Sequence, residues 1–129
     1  EIAQTLQIVM PVHPRTKKIL ADSGLDTTYL TLIEPVGYLK MVWLLEQCEL
    51  VITDSGGLQK EAFFFGKPCI TTREETEWVE LIESGVNILT GANESKIIHA
   101  VEIMQKRQID MQLQMYGGGA AAEKITEFL

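Results

Sequence analysis

Nowhere does this 129-residue chain carry the run of about 18 apolar residues that a membrane-spanning helix requires. No basic-then-apolar leader opens it, so the expectation is a cytoplasmic protein that is neither secreted nor embedded in a bilayer. Cysteine is sparse. Cys48 and Cys69 lack C-x-x-C spacing, and buried free thiols in a reducing compartment are the default for such a pair. The two histidines, His13 and His99, have no cluster of further ligands around them, so no metal and no other cofactor is expected. Positive charge is short as well. Eleven Lys and Arg stand against 18 Asp and Glu, giving a formal net charge of −7 with no basic cluster, which argues against a nucleic-acid partner. Internal repeats and low-complexity linkers are absent apart from the glycine run Gly117–Gly119, which reads first as a helix breaker. A start methionine is missing too. The chain begins directly on an element, Glu1 to Leu6, as a piece cut from something longer would.

What is present fits one soluble domain: 46% hydrophobic and 22% charged residues, in a chain long enough to bury a core. Five short apolar runs read as strands: Gln7–Val12, Tyr29–Ile33, Glu49–Thr53, Cys69–Thr72 and Val86–Thr90. Amphipathic stretches alternate with them. Helices are expected over Arg15–Ala21, Tyr38–Cys48, Leu58–Phe65, Glu75–Ser84, from Asn93 or Ser95 to about Met115, and over Ala120–Leu129. Leu39, Val42, Trp43 and Leu45 are the residues the second of these would bury, and Phe63, Phe64 and Phe65 read as core. The alternation is the α/β pattern of a parallel sheet covered on both faces. Right-handed crossovers then gather every strand-to-helix loop on one edge, beyond the carboxyl ends of the strands, where such sheets bind ligands.

The most informative of those loops follows the third strand, in Val51-Ile52-Thr53-Asp54-Ser55-Gly56-Gly57-Leu58-Gln59-Lys60-Glu61-Ala62. A strand, a glycine turn and a helix start in succession. Free backbone N–H groups and the positive end of the helix dipole meet there, a ready place for an anion. Gly56 and Gly57 would let the backbone approach a phosphate and permit positive φ in the turn. Ser55 would cap the helix or donate to a phosphate oxygen. Glu61 stands one helical turn further on, where a carboxylate can accept from a ribose diol. The spacing is neither a dinucleotide fingerprint nor a Walker A loop. An ordinary strand-to-helix turn with a serine cap explains the same residues, and local chemistry leaves both readings open.

Other loops on the same edge carry further candidates. His13, restrained toward extended backbone by Pro14, is either a surface histidine or a cation or proton carrier beside Arg15. Arg73 suits a diphosphate or else a surface ion pair with Glu74 or Glu77. Thr76 and Glu77 would cap the next helix or meet sugar hydroxyls, Trp78 is open between core and loop, and His99 reads as a surface residue. No pair of carboxylates announces itself as a general acid and base.

Taken together, IVMPVHPRT (Ile8–Thr16), YLKMVWLLEQCELVITDSGGLQKEAFFFGKPCITTREETEWVE (Tyr38–Glu80) and GVNILTG (Gly85–Gly91) resemble the carboxyl-terminal half of the non-hydrolysing UDP-N-acetylglucosamine 2-epimerases. The likeness covers nearly the whole chain, and the block D-S-G-G-x-Q-x-E-A followed by G-K-P and R-x-x-T-E is specific in this order. H-P-R-T with E-E-T-E-W-V-E looks most like the branch acting on diacetamido uronic acid sugar nucleotides. The resemblance implies a Rossmann-like parallel sheet flanked by helices, an incomplete half of a two-domain glycosyltransferase-B-type fold. Residues 1–129 would be a fragment of the carboxyl-terminal UDP-binding domain, without the amino-terminal domain or the domain's own first strand. It also implies that Ser55, Gly56 and Gly57 hold the diphosphate and Glu61 the ribose. Arg73 and Arg15 would lie near the phosphates, Tyr38 near the uracil, and His13 would be the active-site histidine.

The chemistry so implied is inversion at C2 of the sugar by loss and re-addition of UDP, in a parent enzyme that is homodimeric and supplies polysaccharide biosynthesis. Its acid and base carboxylates belong to the absent domain, so the fragment alone is expected to be inactive. Tyr116-Gly117-Gly118-Gly119 stands where the family usually has Y-G-D-G, which puts any contact of that Asp in doubt. A UDP-sugar glycosyltransferase of the same fold is the alternative enzyme, separated by whether C2 hydrogen exchanges with solvent without an acceptor. A stand-alone nucleotide-binding module is the alternative outside enzymes.

Overall fold

The computed structural model describes residues 1–110, 112–113 and 115–128, and it divides into two compact units, residues 1–47 and 48–129. The first opens on a 3-10 turn at Ile2–Gln4, where a helix tail is expected from sequence. β1 (Ile8–Pro11) runs parallel to β2 (Leu30–Ile33), with Ile8 opposite Leu30 and Pro11 opposite Ile33. Between them lies α1 (Pro14–Ser23). Pro14 occupies the first helical turn, where a missing N–H costs nothing, and Gly24 at φ 70° closes the helix in the left-handed conformation. α2 (Tyr38–Gln47) buries less than its pattern suggests. Leu45 is buried and Val42 half-buried, but Leu39 and Trp43 are 82% and 56% exposed. So small a unit shields only a narrow stripe of a helix.

The second unit is a three-stranded parallel sheet in the order β3 (Val51–Thr53), β4 (Cys69–Thr71), β5 (Asn87–Leu89). Thr53 pairs with Thr71, and Thr71 with Leu89. The five strands therefore form where expected but in two hydrogen-bonded sheets, of two and three strands, rather than one. Central β4 is buried along its length, as a strand covered on both faces must be. Burial pushes the Cys69 thiol up to about 12 and raises that of Cys48, so both are protonated near neutral pH.

α3 (Gly56–Phe64) and α5 (Glu94–Met104) pack against β4, and short α4 (Val79–Glu83) against β5. Asn93 caps α5, its side chain accepting from the Lys96 amide at 2.9 Å. Two helices are shorter than expected. α4 starts at Val79 rather than Glu75 because the preceding residues are held in a loop described below. α5 ends at Met104 rather than near Met115. Past it, Ile109, Leu113, Met115 and Tyr116 pack on the buried cluster of Phe63, Leu81 and Val86, a tertiary gain that outweighs helix propensity. Met111 and Gln114, within that expected helix, lie outside the described residues. Gly117–Gly119 forms a 3-10 turn, and α6 (Ala121–Glu127) follows; Leu129, expected at its end, is also outside them. Among the described residues no helix is long and apolar enough to cross a membrane.

A buried polar chain ties these elements together. Gln59 on α3 is fully buried, and its Oε1 accepts from Asn87 Nδ2 on β5 at 3.0 Å and from the Thr76 hydroxyl at 2.7 Å. The Asn87 amide oxygen accepts in turn from the Thr71 hydroxyl of β4 at 3.0 Å. Every member needs its neighbour, since a buried polar group without a partner bears its full desolvation cost. Replacing Gln59 with Leu leaves the Asn87 side-chain amide nitrogen and the Thr76 hydroxyl proton without their acceptor. The expected loss is about 2 to 4 kcal/mol in urea unfolding, with the slope unchanged. A loss below about 0.5 kcal/mol would show that the network carries no net stability.

Candidate nucleotide-binding turn

Because β3, β4 and β5 are parallel, their carboxyl ends share one edge, and the loops leaving them meet there. Backbone bonds stitch that edge: Thr72 N to Thr53 O at 2.9 Å, Thr90 N to Thr71 O at 3.0 Å, and Gly91 N to Arg73 O at 3.1 Å.

At the first loop the backbone donors of the helix start divide cleanly. The Ser55 amide donates to Thr53 Oγ1 at 3.0 Å, and Ser55 Oγ accepts from the Leu58 amide at 3.4 Å, the capping role expected of it. The Gln59 amide reaches Ser55 O at 3.4 Å. Among the described residues no acceptor takes the amides of Gly56 or Gly57. Two donors at the positive end of α3 are thus open.

The positive φ expected of the glycines is not found. Neither Gly56 nor Gly57 has positive φ; both are helical, and α3 begins on them rather than at Leu58. A Cβ on Gly56 would meet the Glu77 carboxylate, so a larger residue there would push that side chain aside, while the Trp78 indole nitrogen would lie at an ordinary 3.7 Å. Gly57 faces open space, with nothing within 4 Å of the position a Cβ would take. Glu61 follows Gly57 by one helical turn on the same face, half-buried and in no ion pair among the described residues.

The second loop supplies Arg73, whose Nη1 lies 3.1 Å from Glu77 Oε2. Of its two expected roles the structure shows the ion pair, with Glu77 rather than Glu74. Glu74 instead stands against Gly91 of the third loop, where φ is 60° and a side chain would collide with it. Thr76 neither caps α4 nor faces outward as a sugar ligand would. Its hydroxyl donates to Gln59 and accepts from the Trp78 amide at 3.2 Å, which holds 73–78 as a loop. Trp78 Nε1 donates to Gly56 O at 2.8 Å.

A cationic and aromatic stack backs the turn, and sequence reasoning missed it. The Lys60 ammonium lies 4.3 Å from the Trp78 ring centroid and 4.4 Å from that of Tyr116. Contacts of this kind contribute about 0.5 to 1 kcal/mol each at exposed sites. Phe63, Phe64 and Trp78 all meet Tyr116 tilted or edge-on, at 5.9, 5.6 and 6.3 Å between centroids. Of the phenylalanine run only Phe63 is buried; Phe65 is half-buried and Phe64 is 52% exposed. The Tyr116 hydroxyl is buried without a partner at full hydrogen-bond geometry, and burial together with the neighbouring Glu80 carboxylate raises its pKa well above the usual phenol range. That hydroxyl, oriented toward Glu80, holds the Glu80 carboxyl below its ordinary value.

His13, Arg15 and Tyr38 belong to the first unit. His13 caps α1, its Nδ1 accepting from the Arg15 amide at 3.3 Å, which leaves the neutral ring's proton on Nε2. Its side chain and that of Arg15 are exposed, and Tyr38 begins α2 at 68% exposure. His99 is exposed, 3.8 Å from Glu102. Among the described residues no three His, Cys, Asp or Glu are placed to hold a metal.

Compared with known protein families, the chain matches the model described as UDP-N-acetylglucosamine 2-epimerase over residues 1–129. It belongs to that family. A UDP-2,3-diacetamido-2,3-dideoxy-D-glucuronate 2-epimerase of Pseudomonas aeruginosa is 49% identical over 122 residues, covering 95% of this chain and 34% of the relative. The UDP-N-acetylglucosamine 2-epimerase of Methanocaldococcus jannaschii is 42% identical over 127 residues, with coverage of 95% and 34%. The crystal structure of the Methanocaldococcus family member in complex with UDP-N-acetylglucosamine and UDP superposes with a TM-score of 0.79 at 41% identity, covering 95% of this chain and 35% of that one. The Neisseria meningitidis family member bound to UDP-N-acetylglucosamine gives 0.72 at 32% identity, covering 96% and 36%. The chain therefore has the α/β fold of these epimerases and spans about a third of their length.

The pair of Glu80 and Tyr116 predicts a pH effect. A carboxyl held low in the folded state contributes stability above its unfolded pKa and loses it as pH falls through the folded one. In Tyr116→Phe the Glu80 carboxyl, followed by its side-chain carbon shift, is expected to titrate at higher pH than in the unaltered chain, because the largest of the influences lowering it is gone. An unchanged titration would show that Tyr116 does not set it.

Proposed function

We propose that this chain is the UDP-binding part of a UDP-sugar 2-epimerase and that the turn at Ser55–Gly57 receives the diphosphate. The observation that carries the reading is the pair of amides, Gly56 and Gly57, unclaimed among the described residues at the positive end of α3, with open space at Gly57. Glu61, on the same face one turn along, is the acceptor for the ribose hydroxyls. Arg73 reaches the phosphates from the neighbouring loop once it leaves Glu77. That exchange is easy, because both partners are more than a third exposed and such pairs are worth about 0 to 1 kcal/mol.

The reaction is inversion at C2 of a 2-acetamido sugar nucleotide. A base removes the C2 proton, the C1–O bond to UDP breaks to give a 2-acetamidoglucal, and UDP adds back after reprotonation on the other face. Open amides and a guanidinium stabilise the negative charge that develops on the departing diphosphate, which is electrostatic catalysis. By the family resemblance His13 is the proposed active-site histidine, Arg15 a phosphate-facing cation and Tyr38 a neighbour of the uracil. The C2 base and acid come from carboxylates of a domain outside this chain, so residues 1–129 alone bind UDP without turning it over. The H-P-R-T and E-E-T-E-W-V-E variants favour a diacetamido uronic acid substrate. A homodimeric parent, a glycosyltransferase-B-type arrangement, a cytoplasmic location and a place in polysaccharide biosynthesis rest on the family resemblance.

Titrating UDP while following backbone amides tests the binding site. The amides of Ser55, Gly56, Gly57 and Glu61 are expected to move, with weaker binding after Arg73→Ala. If those amides stay still at millimolar UDP, the turn is not the nucleotide site.

A further inference from the structure

The turn's open donors need to be aimed, and one side chain outside the glycine motif is placed to aim them. Trp78 Nε1 donates to Gly56 O at 2.8 Å, joining residues 22 apart in sequence. The peptide unit that carries Gly56 C=O also carries Gly57 N–H. It is planar and trans, so the two bonds point in opposite directions and fixing one fixes the other. Gly57 is the residue with no neighbour around its Cα on the outer side and no acceptor for its amide.

The indole is itself held on three sides. Its backbone amide donates to Thr76 Oγ1, and Thr76 is bonded to the buried Gln59. Lys60 lies over one face of the ring, and Tyr116 meets it at 89° between planes. This peptide unit lies in the first turn of α3, where helices fray and where two successive glycines add backbone freedom, so a bond from outside the helix adds to the helix's own hold on it. Trp78 is the side chain seen to grip it.

We infer that Trp78 is a positioning residue for the diphosphate: its indole N–H locks the Gly56–Gly57 peptide so that the Gly57 amide points at a phosphate oxygen. The inference rests on the reading of this turn as the UDP site. It goes beyond that reading by assigning the aim of the turn to a tryptophan on another loop, one that never touches the ligand itself.

Trp78→Phe tests it in the 129-residue chain, because phenylalanine keeps a ring beneath Lys60 and against Tyr116 but has no N–H. Losing a single bond of this kind is worth a factor of about 5 to 10, so the UDP dissociation constant should rise by that much. The Gly57 amide cross-peak should shift in the ligand-free variant, a signature that loss of stability alone would not give. Lys60→Met keeps the indole N–H and should leave that cross-peak near its wild-type position. In the unaltered chain the Trp78 indole proton should exchange with solvent more slowly than that of exposed Trp43 and should shift on adding UDP, a readout that survives if the variant folds poorly. Should wild type and Trp78→Phe bind UDP equally, or the two indole protons exchange alike, the positioning role is wrong while the UDP site stands. Should UDP leave the Ser55–Gly57 amides of the unaltered chain unmoved, the site reading fails and the role of Trp78 fails with it.

Discussion

The carboxamide of Gln59 is the interaction on which the second unit's working edge depends. It is fully buried, and its oxygen accepts at once from β5 through Asn87 and from the loop after β4 through Thr76. Its amide nitrogen lies 3.4 Å from the Ser55 carbonyl at the start of the same helix. One side chain thereby sets α3 at a fixed height against the sheet and fixes the loop that carries Arg73, Glu77 and Trp78. An apolar residue would fill the space but take away the acceptor of the buried Asn87 amide nitrogen and of the Thr76 hydroxyl.

From that constraint the rest of the turn follows. With Thr76 occupied, residues 73–78 cannot wind into α4, and the indole of Trp78 is brought over Gly56. Glu77 comes with it, its carboxylate against the first glycine and paired with Arg73. Ser55 and Thr53 satisfy two neighbouring amides, so the donors left over are those of Gly56 and Gly57. The arrangement is rigid where it is buried and loosely held where an anion would arrive, since the exposed ion pair yields easily.

Much of this was legible in the sequence, and the failures have physical causes. Alternating apolar runs and turn residues located all five strands and their parallel sense, because period and β-branched content are local signals. Which strands share a hydrogen-bonded sheet is not local, and Pro11 and Thr53 carry no mark of it. Gln59, Asn87 and Thr71 are polar letters inside amphipathic patterns; nothing short of their mutual distances shows that they bond one another. Gly56 and Gly57 read as a turn from sequence, but neither takes positive φ, and the helix already begins on them. The family motifs located Ser55, Gly56, Gly57, Glu61 and Arg73 on this edge, while His13, Arg15 and Tyr38 fall in the first unit, where the structure shows a helix cap and exposed side chains.

On the proposed function, the open amides at the start of α3 supply much of the affinity for UDP. Calorimetric titration of the chain with UDP and, separately, with uridine tests it most directly. The account predicts that UDP binds at least about tenfold more tightly and that the difference shrinks as salt rises, as charge-dominated recognition of a diphosphate requires. Equal affinities for the two ligands would contradict it, placing recognition in the nucleoside and leaving the glycine turn as a structural feature.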